Sequence, residues 1–278
     1  MADWSQYEAP IRVGAFAAVF LILALAELAF PRKKRIRSRL TRWVSNVGLL
    51  VISTLVLRFA IPVVAVGFAA LMSERGIGVF NLTAMPVWLE IILAIILLDL
   101  AVWAQHVIMH YVPPLWAFHR IHHMDEDLDV ATGIRFHPGE MVSSFAIKLG
   151  AIALIGPAAV AVFLFEILLN AASIFEHANI RLPAQLEPHL RKVIVTPDMH
   201  RVHHSVYPEE TNSNFGFCLS LWDRLFRTYR DQPRDGHDAM RLGLDKRPAG
   251  DPARLDYLLL AAFRSSQAAR THKGSNEA

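Results

Sequence analysis

The chain is short of several things that would make its reading ordinary. One residue in 278 is cysteine, Cys218, so no intrachain disulfide can form and zinc sites built from several thiolates are excluded. Charge is scarce: 19% of residues are Asp, Glu, Lys or Arg against 54% hydrophobic, and a mean hydropathy of +0.33 is too apolar for a typical soluble domain. There is no G-x-G-x-x-G run to bind a nicotinamide or flavin, no solenoid repeat, and no Glu-x-x-His pair of the kind used by carboxylate-bridged di-iron bundles. The formal charge of +3 would suit a nucleic-acid binder if it were spread out. Instead the excess sits mainly in "PRKKRIRSRLTR" at 31–42, directly after an apolar segment, which is the placement of a membrane-orientation signal, and no nucleic-acid partner is expected.

What the chain has in quantity is apolar length. Residues 11–30, 43–72, 86–105 and 141–175 each approach or exceed the ~20 residues that a helix needs to cross a bilayer. The first is read as an uncleaved span and not a secretory signal, because the dense positive cluster follows it. The positive-inside rule then puts the N-terminus outside and 31–42 on the cytoplasmic face. The second region contains Arg58 and Pro62 and is expected to tilt, kink or fold back. The fourth has Gly156-Pro157 near its middle, a break signal that predicts a hairpin returning the chain to the cytoplasmic side. The expected architecture is an all-α integral membrane protein with about four transmembrane helices and a cytoplasmic histidine-rich helical cap. Residues 1–85 form an N-terminal transmembrane region, 86–232 the functional domain, and 233–278 a polar tail whose end, "SSQAARTHKGSNEA", is expected to be disordered.

Histidine is the other excess. "HVIMH" places His106 and His110 four apart, and "HRIHH" and "HRVHH" place His119, His122, His123 and His200, His203, His204 at helical spacings of three and four. Eight imidazoles on three short faces cannot pack as a neutral core without unpaired ring nitrogens, each costing ~1–3 kcal/mol. Neutral imidazole is a good ligand for first-row transition ions. Eight ligands exceed what one ion takes, so the count implies two ions in a site that is nearly all nitrogen. His189, His237 and His272 are isolated in polar sequence and read as solvated.

With these boxes the chain resembles the fatty acid hydroxylase superfamily of sterol desaturase-type membrane proteins. The matching stretches, in the family's order, are "HVIMHYVPPLWAFHRIHH", "TGIRFHPGE", "FEHANIRLP", "TPDMHRVHHS" and "NFGFCLSLWDRLFRTY", covering roughly residues 95–232. The resemblance implies that the eight histidines hold two non-haem iron ions, which use O2 as co-substrate to hydroxylate or desaturate a lipid (a sterol, fatty acyl chain or relative) at an unactivated C–H. It adds His177 in "FEHAN" as a ligand, and His137 in "RFHPGE" as a ligand or a support for one. Two departures are visible: Gly139 where the family more often has a bulky residue, and Arg227 where it usually has glycine. "HPGE" also looks like part of a cytochrome b5 module, but no soluble acidic haem domain surrounds it.

Asp125, Asp129, Glu176 and Asp198 are near enough in sequence to accept the histidines' second N–H. With no redox module of its own, the chain needs a separate electron donor, ferredoxin-like or cytochrome b5-like with its reductase. Arg32, Lys33, Lys34 and Arg35 could attract an acidic carrier, or serve orientation alone. A bacterial inner membrane is the expected location, with the endoplasmic reticulum second. The alternatives are an intramembrane zinc-dependent hydrolase, which wants the Glu of H-E-x-x-H that "HVIMH" lacks, a b-haem electron carrier, for which adjacent pairs such as His122-His123 are unsuited, and a metal transporter, which should bury its ligands at mid-membrane.

Overall fold

The computed structural model describes residues 5–264, so the expectations for the end of the tail and for His272 lie outside the described residues. Among the described residues there are helices and three isolated bridges but no strand. Five stretches are long and apolar enough to cross a membrane, and the chain is a multi-pass membrane protein. They contain the helices α1 (Ser5–Ala29), α2 (Arg39–Ala60) continued by α3 (Ala65–Glu74), α4 (Val87–Tyr111), α6 (Pro138–Ile155) and α7 (Ala159–His177). α5 (Pro113–His123) and the short helices α8 (Glu187–Leu190), α9 (Pro197–His203), α10 (Pro208–Thr211), α11 (Leu221–Leu225), α12 (Gly236–Ala239) and α13 (Leu255–Ala261) build the cap.

Each break has a local cause. Pro62 bars helical backbone at Ile61, whose φ of −135° ends α2. The path resumes as α3 in the same overall direction: Ser53 of α2 donates to the Phe136 carbonyl at the cap end of α6, while Gly78, beyond α3, abuts Gly156 at the other end. The second apolar region is therefore one broken span. The fourth is the expected hairpin, since Gly156 adopts the left-handed conformation that closes α6 and Pro157 separates it from α7. A Cβ on Gly78 would stand 2.3 Å from Gly156 Cα, so the two glycines let this turn and the loop after α3 touch. Glu90 of α4 seals the same end by accepting the Ala158 N–H at 2.8 Å.

α7 is the central helix, packed on α1, α3 and α4, and α6 covers α2, α3 and α4. Leu98, Val102, Ile152, Val162 and Phe165 fill the space between α3, α4, α6 and α7. Outward faces stay apolar: Leu21, Ile22, Leu25 and Leu28 on α1, and Val51, Leu55 and Phe59 on α2, are exposed, as suits helices whose solvent is lipid.

The basic run is stitched into the cap. Arg42, buried, bonds Asp125 through two 2.7 Å contacts and Asp129 through a third, and Thr132 Oγ1 donates to Asp125 at 2.9 Å. The Arg42 guanidinium holds the Asp125 carboxyl down at about 2, against the desolvation that acts to raise it. Arg32 bonds Asp198 and Asp238, Lys33 donates to the Asp238 and Met240 carbonyls, and Arg35 and Arg39 share the buried Glu27, which also accepts the Val130 and Asn179 N–H groups. Three of the four residues considered for partner docking thus have intramolecular acceptors. Asp125, Asp129 and Asp198 are committed to these arginines, which is why they do not orient histidines.

Candidate metal centre

The C-terminal ends of α4 and α7, the whole of α5 and α9, and the loop 212–217 meet at the cap end of the bundle. They gather nine buried histidines into two groups, within each of which the potential ligand atoms all lie within 4.8 Å of one another. One group is His106, His110, His119, His123 and His203; the other is His122, His177, His200 and His204. The two H-x-x-H-H boxes exchange members. Each gives its i,i+4 pair to one group and its middle histidine to the other: His119 and His123 join the first while His122 crosses, and His200 and His204 join the second while His203 crosses. Neighbouring side chains on a helix diverge by about 100°, so an adjacent His-His pair suits two neighbouring sites better than one.

Tautomers follow from the outer hydrogen bonds. A carbonyl oxygen only accepts, so Nδ1 must carry the proton in His106 (to Phe215 O, 2.8 Å), His203 (to Ser213 O, 2.7 Å) and His177 (to Ser173 O, 2.6 Å). His119 Nδ1 meets Glu140 at 2.6 Å and His110 Nδ1 faces Asn212 Oδ1 at 3.2 Å. Each is thereby held with an Nε2 lone pair free for the interior, the arrangement that metal-ligating imidazoles use. In both groups the Nε2 atoms crowd together. The Nε2 atoms of His177, His200 and His204 form a triangle of 3.1–3.2 Å sides, and His122 Nε2 stands 3.0 Å from that of His177. In the other group His119 Nε2 lies 3.1 Å from His106 and 3.2 Å from His123, while buried Nε2 atoms of His110 and His203 lack any hydrogen-bond partner. Ligands ~2.1 Å from one ion at 90–109° sit ~3.0–3.4 Å apart, so these separations are those of a coordination shell. The donor set fits two metal ions.

Burial, reinforced by neighbouring imidazoles, holds His122, His123, His200, His203 and His204 well below the usual histidine pKa. They remain neutral and able to ligate. Glu176, fully buried, has no hydrogen-bond partner for either oxygen and lies 3.6 Å from His177 Nδ1 and 3.8 Å from His200 Nδ1.

His137 stands apart from both groups. It caps α6, accepting the Gly139 N–H on Nδ1 at 3.0 Å, with Nε2 3.2 Å from the Leu259 carbonyl and its ring stacked on Phe118. Gly139 makes that stack possible, because a Cβ there would come within 2.7 Å of the Phe118 ring. Arg227, the other departure, occupies the left-handed region at φ +61°, where glycine would be unstrained. His189 is exposed as expected, but His237 is buried, with Nδ1 3.9 Å from Asp198, because the cap folds over the Arg32 cluster.

Several supporting residues escape a reading of motifs. Glu140 is the acid of "HPGE", one turn into α6. Asp223 accepts from Phe215 N, Gly216 N, Trp103 Nε1 and Thr228 Oγ1, and Asp99 accepts from Cys218 N, Leu219 N and Trp222 Nε1. Together they shape the 212–219 loop, whose carbonyls hold His106 and His203. A cavity of about 190 Å3, mostly apolar, reaches His106 and His119 from the membrane side between α4, α6 and α7. Phe217 lines both it and an apolar groove of about 660 Å3 between α1, α4 and α7.

These features define a helical membrane protein with two adjoining groups of buried histidines, able to hold metal, at one end of its spans. Residues 91–228, just under half of the chain, match the fatty acid hydroxylase family. It is 30% identical over 150 residues to ornithine lipid hydroxylase OlsE of Rhizobium tropici, covering 54% of this chain and 44% of that protein. Against alkylglycerol monooxygenase it is 31% identical over 137 residues in Danio rerio (49% of this chain, 30% of that one) and 29% over 132 in Homo sapiens (47% and 28%). The chain thus spans less than half the length of these relatives. No solved structure matches it.

Proposed function

We propose that the chain is a membrane-bound, O2-dependent non-haem di-iron oxygenase that hydroxylates a lipid at an unactivated C–H. The observation that carries this reading is the pair of adjoining all-imidazole groups beside a mostly apolar cavity lined by residues of the spanning helices. The nine histidines would hold two iron ions, with His137 bracing α6. Bound there, the irons supply reductive O2 activation and hydrogen abstraction. The protein's part is placement: Glu140 and the Phe215 and Ser213 carbonyls fix ring orientation, while Phe136, Met109 and Phe217 keep water from the cavity beside His106. The names of the relatives favour oxygen insertion over desaturation or hydrolysis, and adjacent pairs such as His122-His123 do not suit a b-haem carrier.

The two electrons per O2 are assigned to a separate carrier. A cavity of about 510 Å3 at the cap surface, with Arg120, Arg241 and Lys246 in its lining beside His110 and Trp116, is a better approach for an acidic ferredoxin- or cytochrome b5-like donor than the engaged run at 32–35. The location of that run beside the histidines supports a cytoplasmic active site, in a bacterial inner membrane. The test is anaerobic loading with Fe2+, then membrane lipids, reductant and 18O2. Two irons per chain and a lipid gaining one labelled oxygen are expected, with His122→Ala and His203→Ala each leaving about one ion. An iron-loaded, reduced protein that labels no lipid, or one that binds a single ion unaffected by His203→Ala, refutes the proposal.

A further inference from the structure

Few charges lie within the spans, and four of them are connected. Arg12 of α1 reaches Glu8 at 3.1 Å and Glu166 Oε2 of α7 at 2.8 Å, and Glu166 Oε1 accepts from Lys148 of α6 at 3.2 Å. Signs alternate along this line. Its outer end is the acid Glu8, and its inner end is the ammonium of Lys148, which lines the cavity that reaches the histidines.

That position is not incidental to α6. Glu140, Ser144 and Lys148 follow one another at i, i+4 and i+8, so they share one helix face, and all three line the cavity. Glu140 is bonded to His119, which puts Lys148 ~12 Å along the helix axis from the metal end. Across the cavity, Asn170 stands one turn beyond Glu166 on α7. Ionisable groups within a span are costly, and they persist where they line a cavity and meet a ligand. An ammonium has three N–H donors, and Glu166 takes one. Glu166 is itself divided between two cations, so the charge of Lys148 is only partly met where the cavity begins.

We infer that Lys148 is a specificity-determining residue: the cavity takes a lipid bearing an oxyanion, carboxylate or phosphate, seated on Lys148 about 12 Å from the carbon presented to the histidines. The groove behind Phe217 receives the rest of the apolar chain. The role of the histidine end rests on the oxygenase reading, whereas the binding of the oxyanion does not.

The test measures equilibrium binding of hexadecanoate, hexadecyl phosphate and hexadecanol to the full chain in uncharged detergent, metal-free and iron-loaded. At least one anion should bind about ten-fold or more tighter than the alcohol. Which anion does so identifies the source of the oxyanion. Lys148→Met should abolish that preference while leaving hexadecanol affinity and metal content unchanged, and Lys148→Arg should keep it. Should the methionine variant not fold, Lys148→Gln is read in the same way. Equal binding of all three probes by the unaltered protein, or a preference surviving without Lys148, overturns the inference. A Lys148-dependent preference in a protein that forms no O2-dependent product would instead sink the oxygenase reading and leave this one standing.

Discussion

His119 sits between the first histidine group and a carboxylate, with its Nδ1 2.6 Å from Glu140. Replacing Glu140 with Gln keeps the size and one acceptor but removes the charge that strengthens the imidazole as a ligand. Metal affinity at the first group should drop ~10- to 100-fold, read by chelator competition, with the second group unaffected. A second expectation concerns acid. Burial depresses the pKa of His122, His123, His200, His203 and His204, so the unfolded chain takes up protons that the folded metal-free chain refuses. Both states are neutral at these positions above about 6.5, and below it stability falls with pH as the unfolded state gains protons. The Tm of metal-free protein should therefore decline steadily from pH 7 to pH 5, and a flat profile would show that these rings are not buried neutral.

At the scale of elements, the loop 212–219 matters more than its irregular backbone suggests. Asp223 fixes it through four donors, two of them backbone N–H groups that aim at separate carboxylate oxygens, Phe215 N at Oδ1 and Gly216 N at Oδ2, both at 2.8 Å. Asp223→Asn sets an amide N–H2 against one of those donors and should cost about 2–3 kcal/mol. It should also loosen His106 and His203, so that metal is lost from the first group while His122, His177, His200 and His204 keep theirs; equal loss from both would show that the loop does not act on one site. The helices were readable because long apolar runs and Pro62, Gly156 and Pro157 act locally. The histidines were readable because a spacing of three and four survives in the linear chain. Glu140 and the pairing of Arg42 with Asp125 were not, because those contacts join residues 21 and 83 apart. Asp223 was not either, although three of its donors are five to eight residues away, because an isolated acid looks the same whether it faces water or a ring of N–H groups. The division of each His-His pair between two groups was equally hidden, since it depends on where α4, α7 and α9 come together.

The whole molecule has two ends, the histidine cap and the Gly78–Gly156 contact, and the spans between them fix which residues share a side. Cys218 lines the apolar groove, where burial pushes its thiol pKa up, so it should resist membrane-impermeant thiol reagents from either face. In a Cys218→Ser background, cysteines placed at the exposed positions Glu74 and Lys246 should react from opposite sides; reaction from the same side would break the five-span arrangement. The basic run carries a consequence for biogenesis. Arg32, Lys33 and Arg42 leave the ribosome early, yet the groups that receive them, Asp125, Asp198, Asp238 and the Met240 carbonyl, are made 83 to 207 residues later. A nascent chain can thus use these cations to orient its first helix against the lipid head groups long before their acceptors exist. These contacts of the cap can close only after residue 240 has been translated, when the last span, Ala159–His177, has already been made.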